Sequence, residues 1–462
     1  MLERLKALFT SRPGPQQAES VAPAPATPAL APQPPAQALP VTEPDALPTA
    51  TEPVLAHREV LDDALAVRGI EFFIRGELQD KLNTSRSGMR RFLDGMLLDH
   101  LLSLRSKPLH ERGVWVQISE ASLLRLGTSR LPPQAFVLLV AEDTQHVAGP
   151  DTREAILGMQ EAGHQVWLDD CLDTPWFASL AATASGATLR MALRLPTESA
   201  DALRQVREAH HTLRLGAWDV STLEDYELAR KFGCKCFSGS FVTRREDWAG
   251  RELSPQMMNV ASMINRIREE ANFRAIAQVL KQDMAMSYRL LRYVNAATHG
   301  LSQRISSIEQ GLMILGQDQL DRWLTLVLLS GGALGDTALT EVALTRARFL
   351  ELLGAPRFTP EQCERLFVLG LFSMLDIALK VPLEAAIAPL RLQEVMNNAL
   401  LRREGPYGPY LALADACERG IAHEICKYAV MLGLTTRKVS AIQVEAINWV
   451  ASISTSPAEG QG

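Results

Sequence analysis

Two adjacent carboxylates end one of the apolar runs of this 462-residue chain. Asp169 and Asp170 follow the apolar residues 166–168 and precede Cys171. Carboxylate pairs of this kind can hold a divalent cation, and a bound cation can activate a water molecule. They can equally accept hydrogen bonds from loop amides, or hold one weakly bound Mg²⁺ or Ca²⁺. The pair therefore marks a candidate site whose chemistry depends on its surroundings.

The elements that position this pair must be formed by short apolar runs of the sequence. They lie between residues 54 and 245, and most are separated by segments of helical period such as 151–163 and 197–211. That alternation predicts a parallel α/β sheet or barrel. The first two runs are joined only by LDDALA, residues 61–66, which is too short for a crossover, so the first strand should be antiparallel to the second. Eight strand candidates with carboxylates at their ends fit a modified TIM barrel, in which chemistry lies at the strand ends.

The pattern of apolar residues changes near residue 250. Ser254 followed by Pro255 is a good helix start, and Thr359 with Gln362 has the spacing of a capping box. Apolar residues then recur at helical spacing, so residues 250–455 are predicted to form an all-α domain of roughly ten helices.

The N-terminal segment has a different composition. Residues 11–53 contain 12 prolines, many alanines and almost no large apolar residues, so they cannot bury a core. Residues 1–53 are therefore predicted to be disordered. Residues 1–10 are either a tethered docking helix or a frayed terminus.

Charge, cysteines and hydropathy narrow the class of protein. The net charge of −6 and the pI of about 5.9 argue against a nucleic-acid-binding surface. Six cysteines in a long chain form no disulfide-like framework, which favours a reducing cytoplasm. The longest uncharged apolar run has 13 residues, 323–335, whereas a membrane-spanning helix needs roughly 20. We therefore expect a cytoplasmic protein with no membrane span and no cofactor.

The first domain resembles the EAL family of cyclic di-GMP phosphodiesterases. These are modified TIM barrels with an antiparallel first strand, and their signature Glu-Ala-Leu-x-Arg lies on the second strand. This chain has Glu71-Phe72-Phe73-Ile74-Arg75 at that place. The resemblance covers about residues 54–245 and implies a barrel with a nucleotide or metal site at the strand ends.

The resemblance also implies positions for that site. The family holds two divalent cations with carboxylates and one asparagine, and the asparagine position is a glutamine here. The candidate vestigial nucleotide or metal positions are Glu71, Arg75, Gln117, Glu142, Asp169 and Asp170. Nucleotide binding without turnover, with Arg75 on a phosphate, is a further interpretation of this set.

Several family positions are replaced. Val140, Ala192 and Ser221 stand where the family has carboxylates, and Trp218 replaces a further glutamate. Arg190 stands at the place of the general-base lysine, and arginine stays charged at all relevant pH values. A two-metal site needs several hard oxygen ligands. These departures lead to the prediction that the chain has no catalytic residues, no bound metal and no enzymatic activity.

The second domain is similar to the HDOD family, an all-helical relative of the HD phosphohydrolases without their metal ligands. The similarity rests on residues 287–320, with Leu290-Leu291-Arg292-Tyr293-Val294-Asn295 and then Leu315-Gly316. The place that resembles the His-Asp motif, residues 370–374, contains neither ligand. The candidate motif positions are Arg292, Asn295 and His299, with a structural role or a role in a partner groove.

Together the two resemblances indicate an EAL–HDOD signalling protein. The leading hypothesis is a non-catalytic scaffold in cyclic di-GMP or two-component signalling, whose protein partner is a kinase, a response regulator or a cyclic di-GMP enzyme. The alternative is a cyclic di-GMP receptor or a weak residual phosphodiesterase. Nucleic-acid binding by the HDOD half is a third and weaker idea.

Overall fold

The structure is a computed structural model, and it describes two packed units. The described residues are 54–75, 87–103, 112–127, 131–132, 136–143, 148–245, 248, 250–269, 273–282, 286–287, 290–291, 293–294, 307–329 and 337–455. The segment 1–53, predicted to be disordered, lies outside them.

The N-terminal unit is a closed barrel in which sequence neighbours are also spatial neighbours. Its strands are β1 Val54–Asp62, β2 Val67–Arg75, β3 Val114–Ser119, β4 Phe136–Ala141, β5 Gln165–Asp169, β6 Gly186–Arg190, β7 Arg214–Trp218 and β8 Cys234–Ser238. Strand β1 is antiparallel to both β2 and β8, while the other neighbouring pairs are parallel. The helices of this unit are α1 Ser87–Ser103, α2 Glu120–Leu123, α3 Pro150–Glu161, α4 Pro175–Leu180, α5 Pro196–Ala209 and α6 Leu223–Lys231. The predicted modified TIM barrel is confirmed.

Three tryptophans fill part of the barrel interior. Trp115, Trp167 and Trp218 pack together, with ring centroids 5.1 Å apart for Trp115–Trp167 and 5.2 Å for Trp115–Trp218. Glycine on neighbouring strands makes room for them, since a Cβ at Gly186 would lie 2.6 Å from the Trp167 ring. Because side chains alternate along a strand, Asp169, two residues after Trp167, also points inward. The indole rings thus fill the part of the barrel interior next to the polar groups at the carboxyl end.

The C-terminal unit is all-α, as predicted. Its helices are α7 Pro255–Arg268, α8 Phe273–Gln282, α9 Ile308–Leu329, α10 Thr337–Gly354, α11 Pro360–Phe372, α12 Leu375–Leu379, α13 Leu383–Ile387, α14 Glu394–Arg402, α15 Gly408–Arg419, α16 Ala422–Met431 and α17 Thr436–Thr455. Ser254 caps α7, and Thr359 with Gln362 forms the capping box of α11. A large apolar core joins these helices.

Two glycines have specific structural roles in this unit. Gly316 has a φ of 72°, a left-handed conformation that glycine adopts without strain, and it kinks α9. Gly370 lies where α11 crosses α10, and a Cβ there would be 2.5 Å from the Cα of Ala347. The segment that resembles a His-Asp motif is therefore a close helix crossing.

The helical unit packs on the outer face of β1, which α15 and α17 contact. Two ion pairs reinforce this interface. Arg112 lies 2.6 Å from Glu341 of α10, and Arg245 lies 2.6 Å from Asp376 of α12. The antiparallel first strand has no barrel helix of its own before it among the described residues, and the second unit covers it instead.

In the part of the chain that the structure describes, no single helix is long and apolar enough to cross a membrane. One pair, Pro360–Leu379 with Leu383–Leu390, reaches that length and composition only when taken together, and it is bent by 118°.

Candidate functional site

Three carboxylates converge on one arginine at the carboxyl end of the barrel. Glu71 points inward from β2, Asp169 is the last residue of β5, and Asp219 directly follows β7. Arg190 is the last residue of β6, which lies between β5 and β7 in the sheet. Parallel strands bring their carboxyl ends to the same edge, so residues distant in sequence meet there.

The guanidinium of Arg190 contacts all three acids. Its Nη2 lies 3.0 Å from Asp169 Oδ2 and 3.8 Å from Glu71 Oε1, and its Nη1 lies 3.0 Å from Asp219 Oδ2. Its Nε donates to Asp169 Oδ2 over 3.2 Å. The side chain of Arg190 is 16% exposed, while those of Glu71 and Asp169 are 2% and 1% exposed. Glu71 and Asp169 are thus nearly buried, whereas Arg190 and Asp219, whose side chain is 22% exposed, open to solvent.

Neutral donors and a second arginine complete the arrangement, which we call the barrel-end cluster. It consists of Glu71, Asp169, Asp219, Arg190 and Arg58 of β1. Arg58 pairs with Asp219. The neutral donors are Gln117 Nε2 and Thr188 Oγ1, each 2.6 Å from an oxygen of Asp169, and Ser238 Oγ, 3.0 Å from Glu71 Oε2. Three carboxylates thus face two guanidinium groups.

Burial and the nearby arginines shift the pKa values of these acids in opposite directions. Burial raises the pKa of Glu71 above its ordinary value, although Arg190 and Arg58 oppose the shift. Burial also works against ionisation of Asp219, but the two arginines outweigh it and hold the pKa of that carboxyl below its ordinary value. The neighbouring carboxylates raise the pKa of Arg190 despite its burial. Asp219 and Arg190 are therefore ionised partners at neutral pH.

The two adjacent aspartates have different surroundings. Asp169 belongs to the barrel-end cluster, whereas Asp170 accepts from the backbone N–H of Arg190 over 3.1 Å and from Arg194 over 3.5 Å. Its own N–H donates to the carbonyl of Thr188, and its φ of 49° is in the left-handed region. Asp170 thus makes the loop-amide hydrogen bonds that were one interpretation of the pair, while Asp169 does not share that role.

The remaining candidate positions are less informative. Glu142 follows β4 and is half-buried, and Arg75 ends β2 with a side chain outside the described set. Cys171, beside the pair, is buried, and burial raises the pKa of its thiol, so it is not a thiolate at neutral pH. The three HDOD motif positions, Arg292, Asn295 and His299, lie outside the described residues.

Sequence reasoning missed two members of the cluster, Asp219 and Arg58. Asp219 directly follows the apolar run that ends β7, just as Asp169 ends the run of β5, and that parallel was the available signal. Arg58 follows from the inward alternation of β1, in which Val60 also points into the barrel. Arg190 was identified only as the replacement of a lysine.

The EAL resemblance implies divalent cations at this end of the barrel, so the donors can be tested for fit. Oxygens of Asp169 and Asp219 accept from Arg190, and Glu71 and Asp169 also accept from neutral side chains. Among the described residues, no group of three or more His, Cys, Asp or Glu side chains is placed to hold a metal ion. The carboxylates, as arranged around Arg190, do not fit a divalent cation.

Comparisons with known proteins address both units. A protein-family model of the HDOD domain matches residues 253–379. The cyclic di-GMP phosphodiesterase CdgJ of Vibrio cholerae serotype O1 is 27% identical over 410 residues, which cover 88% of this chain and 92% of CdgJ. The uncharacterised protein YuxH of Bacillus subtilis is 27% identical over 204 residues, which cover 43% of this chain and 50% of YuxH.

Solved EAL domains are similar to the barrel at low sequence identity. The EAL domain of Mycobacterium smegmatis DcpA has a TM-score of 0.32 and 18% identity, covering 41% of this chain and 90% of that domain. The FimX EAL domain from Pseudomonas aeruginosa, bound to c-di-GMP, has a TM-score of 0.32 and 15% identity, covering 42% and 90%.

One prediction is wrong. The replaced family positions led to the expectation that the chain is not an enzyme, yet a relative aligned with most of its length is named a phosphodiesterase. Counting lost ligands by alignment to a family signature does not establish loss of activity, because unaligned side chains such as Asp219 also reach the site. The domain order is confirmed: the chain joins an EAL-like eight-stranded barrel to an HDOD domain at residues 253–379.

Proposed function

We propose that this chain acts in cyclic di-GMP signalling and that its barrel binds cyclic di-GMP at the carboxyl end, as a receptor or as a slow phosphodiesterase. The observation that carries the proposal is the alignment with CdgJ, which is named a cyclic di-GMP phosphodiesterase and is matched over 92% of its length. An alignment of that extent includes both the barrel and the helical unit, so it favours a shared signalling role.

The charges at the barrel end support an anionic ligand. Arg190 opens to solvent, and Arg194 lies beside Asp170 and Asp173 with 19% of its side chain exposed. Guanidinium groups bind phosphate oxygens through paired hydrogen bonds, which are among the stronger polar contacts in proteins. A phosphodiester bound here would exchange some contacts of these arginines with carboxylates for contacts with phosphate oxygens.

Slow turnover is the form of catalysis that this arrangement favours. Arg190 does not change its protonation state, so it cannot act as a general base. The carboxylates are already engaged by donors within the protein. Any hydrolysis must therefore begin with rearrangement of the barrel-end cluster, which adds to the barrier.

Calorimetric titration of cyclic di-GMP into the full chain tests the proposal, with Mg²⁺ or Mn²⁺ present and, separately, with a chelator. Product in the same sample is measured by chromatography, and cyclic di-AMP is the control ligand. We expect saturable binding of cyclic di-GMP. Binding without product identifies a receptor, and binding with product identifies a slow phosphodiesterase. A flat titration of folded protein contradicts the proposal.

The HDOD half and its partner are part of the same proposal. We infer that residues 250–455 contact a protein of a signalling pathway, which could be a kinase, a response regulator or a cyclic di-GMP enzyme. The support is the HDOD match within this range. The division at 54–245 and 250–455 and the cytoplasmic location also stay predictions.

A further inference from the structure

We propose that Arg190 occupies the place of a divalent cation: it competes with cations for Glu71, Asp169 and Asp219, and its removal opens a cation site at the carboxyl end of the barrel. The disagreement between the family's metal ligands and the present arrangement motivates this inference. The cluster keeps three acids but binds them to a side chain of the protein itself.

The positions of the acids are the first argument. They come from β2, from β5 and from the residue after β7, and they share no helix or turn that would bring them together. All three lie within 3.8 Å of one guanidinium. A single positive group therefore holds together carboxylates that would otherwise repel one another.

The charge balance is the second argument. With Arg190 removed, Glu71 and Asp169 would lose their only arginine contacts shorter than 4 Å among the described ion pairs, and Asp219 would keep Arg58. Buried carboxylates that lose a cationic partner attract another cation in its place. Oxygen-rich anionic groups are also the ligands that Mg²⁺ and Mn²⁺ prefer. The vacated cluster should recruit such a cation.

The chemistry of arginine explains why the native chain resists a cation. Arg190 is always charged, and its planar fork satisfies Asp169 through two nitrogens while reaching Asp219 with a third. An incoming cation would have to displace these hydrogen bonds and shed part of its own water shell. A lysine, with one compact charge, would hold fewer of these oxygens.

The test measures Mn²⁺ binding to the full chain by calorimetry, without nucleotide. The variants are Arg190→Ala, Arg190→Lys and, as a matched control, Arg214→Ala, which removes an arginine at the opposite end of the barrel. We expect Arg190→Ala to bind Mn²⁺ at least about tenfold more tightly than the wild type, with Arg190→Lys between them and Arg214→Ala unchanged. The double variant Arg190→Ala/Asp169→Asn should lose the gain, which locates the ion.

Thermal unfolding with and without Mn²⁺ gives a second readout. A ligand that binds only the folded state raises the melting temperature, so Mn²⁺ should raise that of Arg190→Ala more than that of the wild type. If Arg190→Ala does not fold alone, Mn²⁺ should restore folding, and Arg190→Lys still reports binding. The inference is overturned if neither variant gains affinity, or if the wild type already binds Mn²⁺ as tightly.

The inference concerns the same end of the barrel as the proposed function, but its test uses the cation alone. A failure of Mn²⁺ binding would leave cyclic di-GMP binding intact, and a flat nucleotide titration would leave the competition between Arg190 and a cation intact.

Discussion

Each unit of the protein contains an arginine surrounded by acids. The two groups differ in the balance of positive and negative charges and in the solvent exposure of the arginine. In the barrel-end cluster, three carboxylates face Arg190 and Arg58, and Arg190 opens to solvent. In the helical unit, Arg346 of α10 pairs with Asp415 and Glu418 of α15, and its side chain is 1% exposed. We call this second group the helix cluster, which also includes Arg403.

The helix cluster has equal numbers of opposite charges. Arg403 lies 2.7 Å from Asp415, so two guanidinium groups face two carboxylates. Arg346 also donates to Ser373 Oγ over 2.8 Å, which ties α10 to the end of α11. The barrel-end cluster, by contrast, has a surplus acid at the mouth of the barrel. Balanced charges around a buried guanidinium indicate a structural role, whereas surplus acid beside a partly exposed guanidinium indicates a binding role.

The largest expected effect comes from breaking the helix cluster. Arg346→Met should lower the free energy of unfolding by about 3–5 kcal/mol, because a guanidinium that is 1% exposed loses its ion pairs with Asp415 and Glu418 and its hydrogen bond to Ser373. Denaturant unfolding followed by circular dichroism measures the loss. The control is Arg391→Met, whose pair with Glu269 is exposed and should matter by less than about 0.5 kcal/mol. A loss for Arg346→Met as small as that of the control would remove the structural role.

Gly370→Ala should give the next largest loss. The added Cβ would lie 2.5 Å from the Cα of Ala347, and backbone cannot move aside as a side-chain tip can. Separating α10 and α11 should cost roughly 2–3 kcal/mol of stability, the upper part of the range for overpacking. The same unfolding experiment measures it, with Gly95→Ala as control, since a Cβ there meets nothing within 4 Å. Equal stability of the two variants would show that the crossing tolerates a methyl group.

Breaking the barrel-end cluster should cost less. Arg190→Met should lower the free energy of unfolding by roughly 1–2 kcal/mol, because Gln117, Thr188 and Ser238 still donate to the acids. The variant should also change cyclic di-GMP binding, which Arg346→Met should leave unchanged in protein that remains folded. A stability loss as large as that of Arg346→Met, with unchanged nucleotide binding, would make both clusters structural.

The sequence predicted the strands, helices and their division into two units better than the contacts of the candidate site. Local signals were sufficient for the hairpin of β1 and β2, for the caps at Ser254 and Thr359, and for the change near residue 250. The contacts of Arg190 are not local, because its partners are 29, 21 and 119 residues away in sequence. A substitution that looked like the loss of a lysine is, in the folded chain, the gain of three ion pairs. The sequence pattern does not show which side chains on different strands come into contact.

The smallest expected effect concerns Glu59, which lies between the two clusters on β1. Arg58 points into the barrel toward Asp219, and the adjacent Glu59 lines a cleft with His57, Arg346 and Glu418. Burial raises the pKa of Glu59 to about 7, helped by Glu418 and Glu341 and opposed by its own backbone N–H and by Arg58. This carboxyl is thus a titratable group that adjoins both units.

The sign of the pH effect follows from the raised pKa. Between pH 4.5, the ordinary pKa of a glutamate, and about pH 7, Glu59 is protonated in the folded protein but ionised in the unfolded chain. The contribution of Glu59 to stability is therefore present at low pH and is lost as the pH rises. Burial lowers the pKa of His57 to about 4, so His57 stays neutral above pH 5 in the folded state and contributes an opposite trend up to its unfolded value of 6.5. A comparison with Glu59→Gln cancels the histidine contribution, because both proteins retain it.

Glu59→Gln should therefore gain stability relative to the wild type as the pH increases from about 5 to about 8. The gain should be on the order of 1 kcal/mol, less than the full pKa shift would give, because Glu59 is only half-buried and solvent screens its charge. Urea unfolding of both proteins across this range measures the difference. Because glutamine cannot ionise, the variant does not place a charge beside Glu418 and Glu341 at high pH. Parallel stability curves would show that Glu59 is solvated well enough to ionise freely. Curves that diverge would show that β1 senses pH where the barrel meets the helical unit.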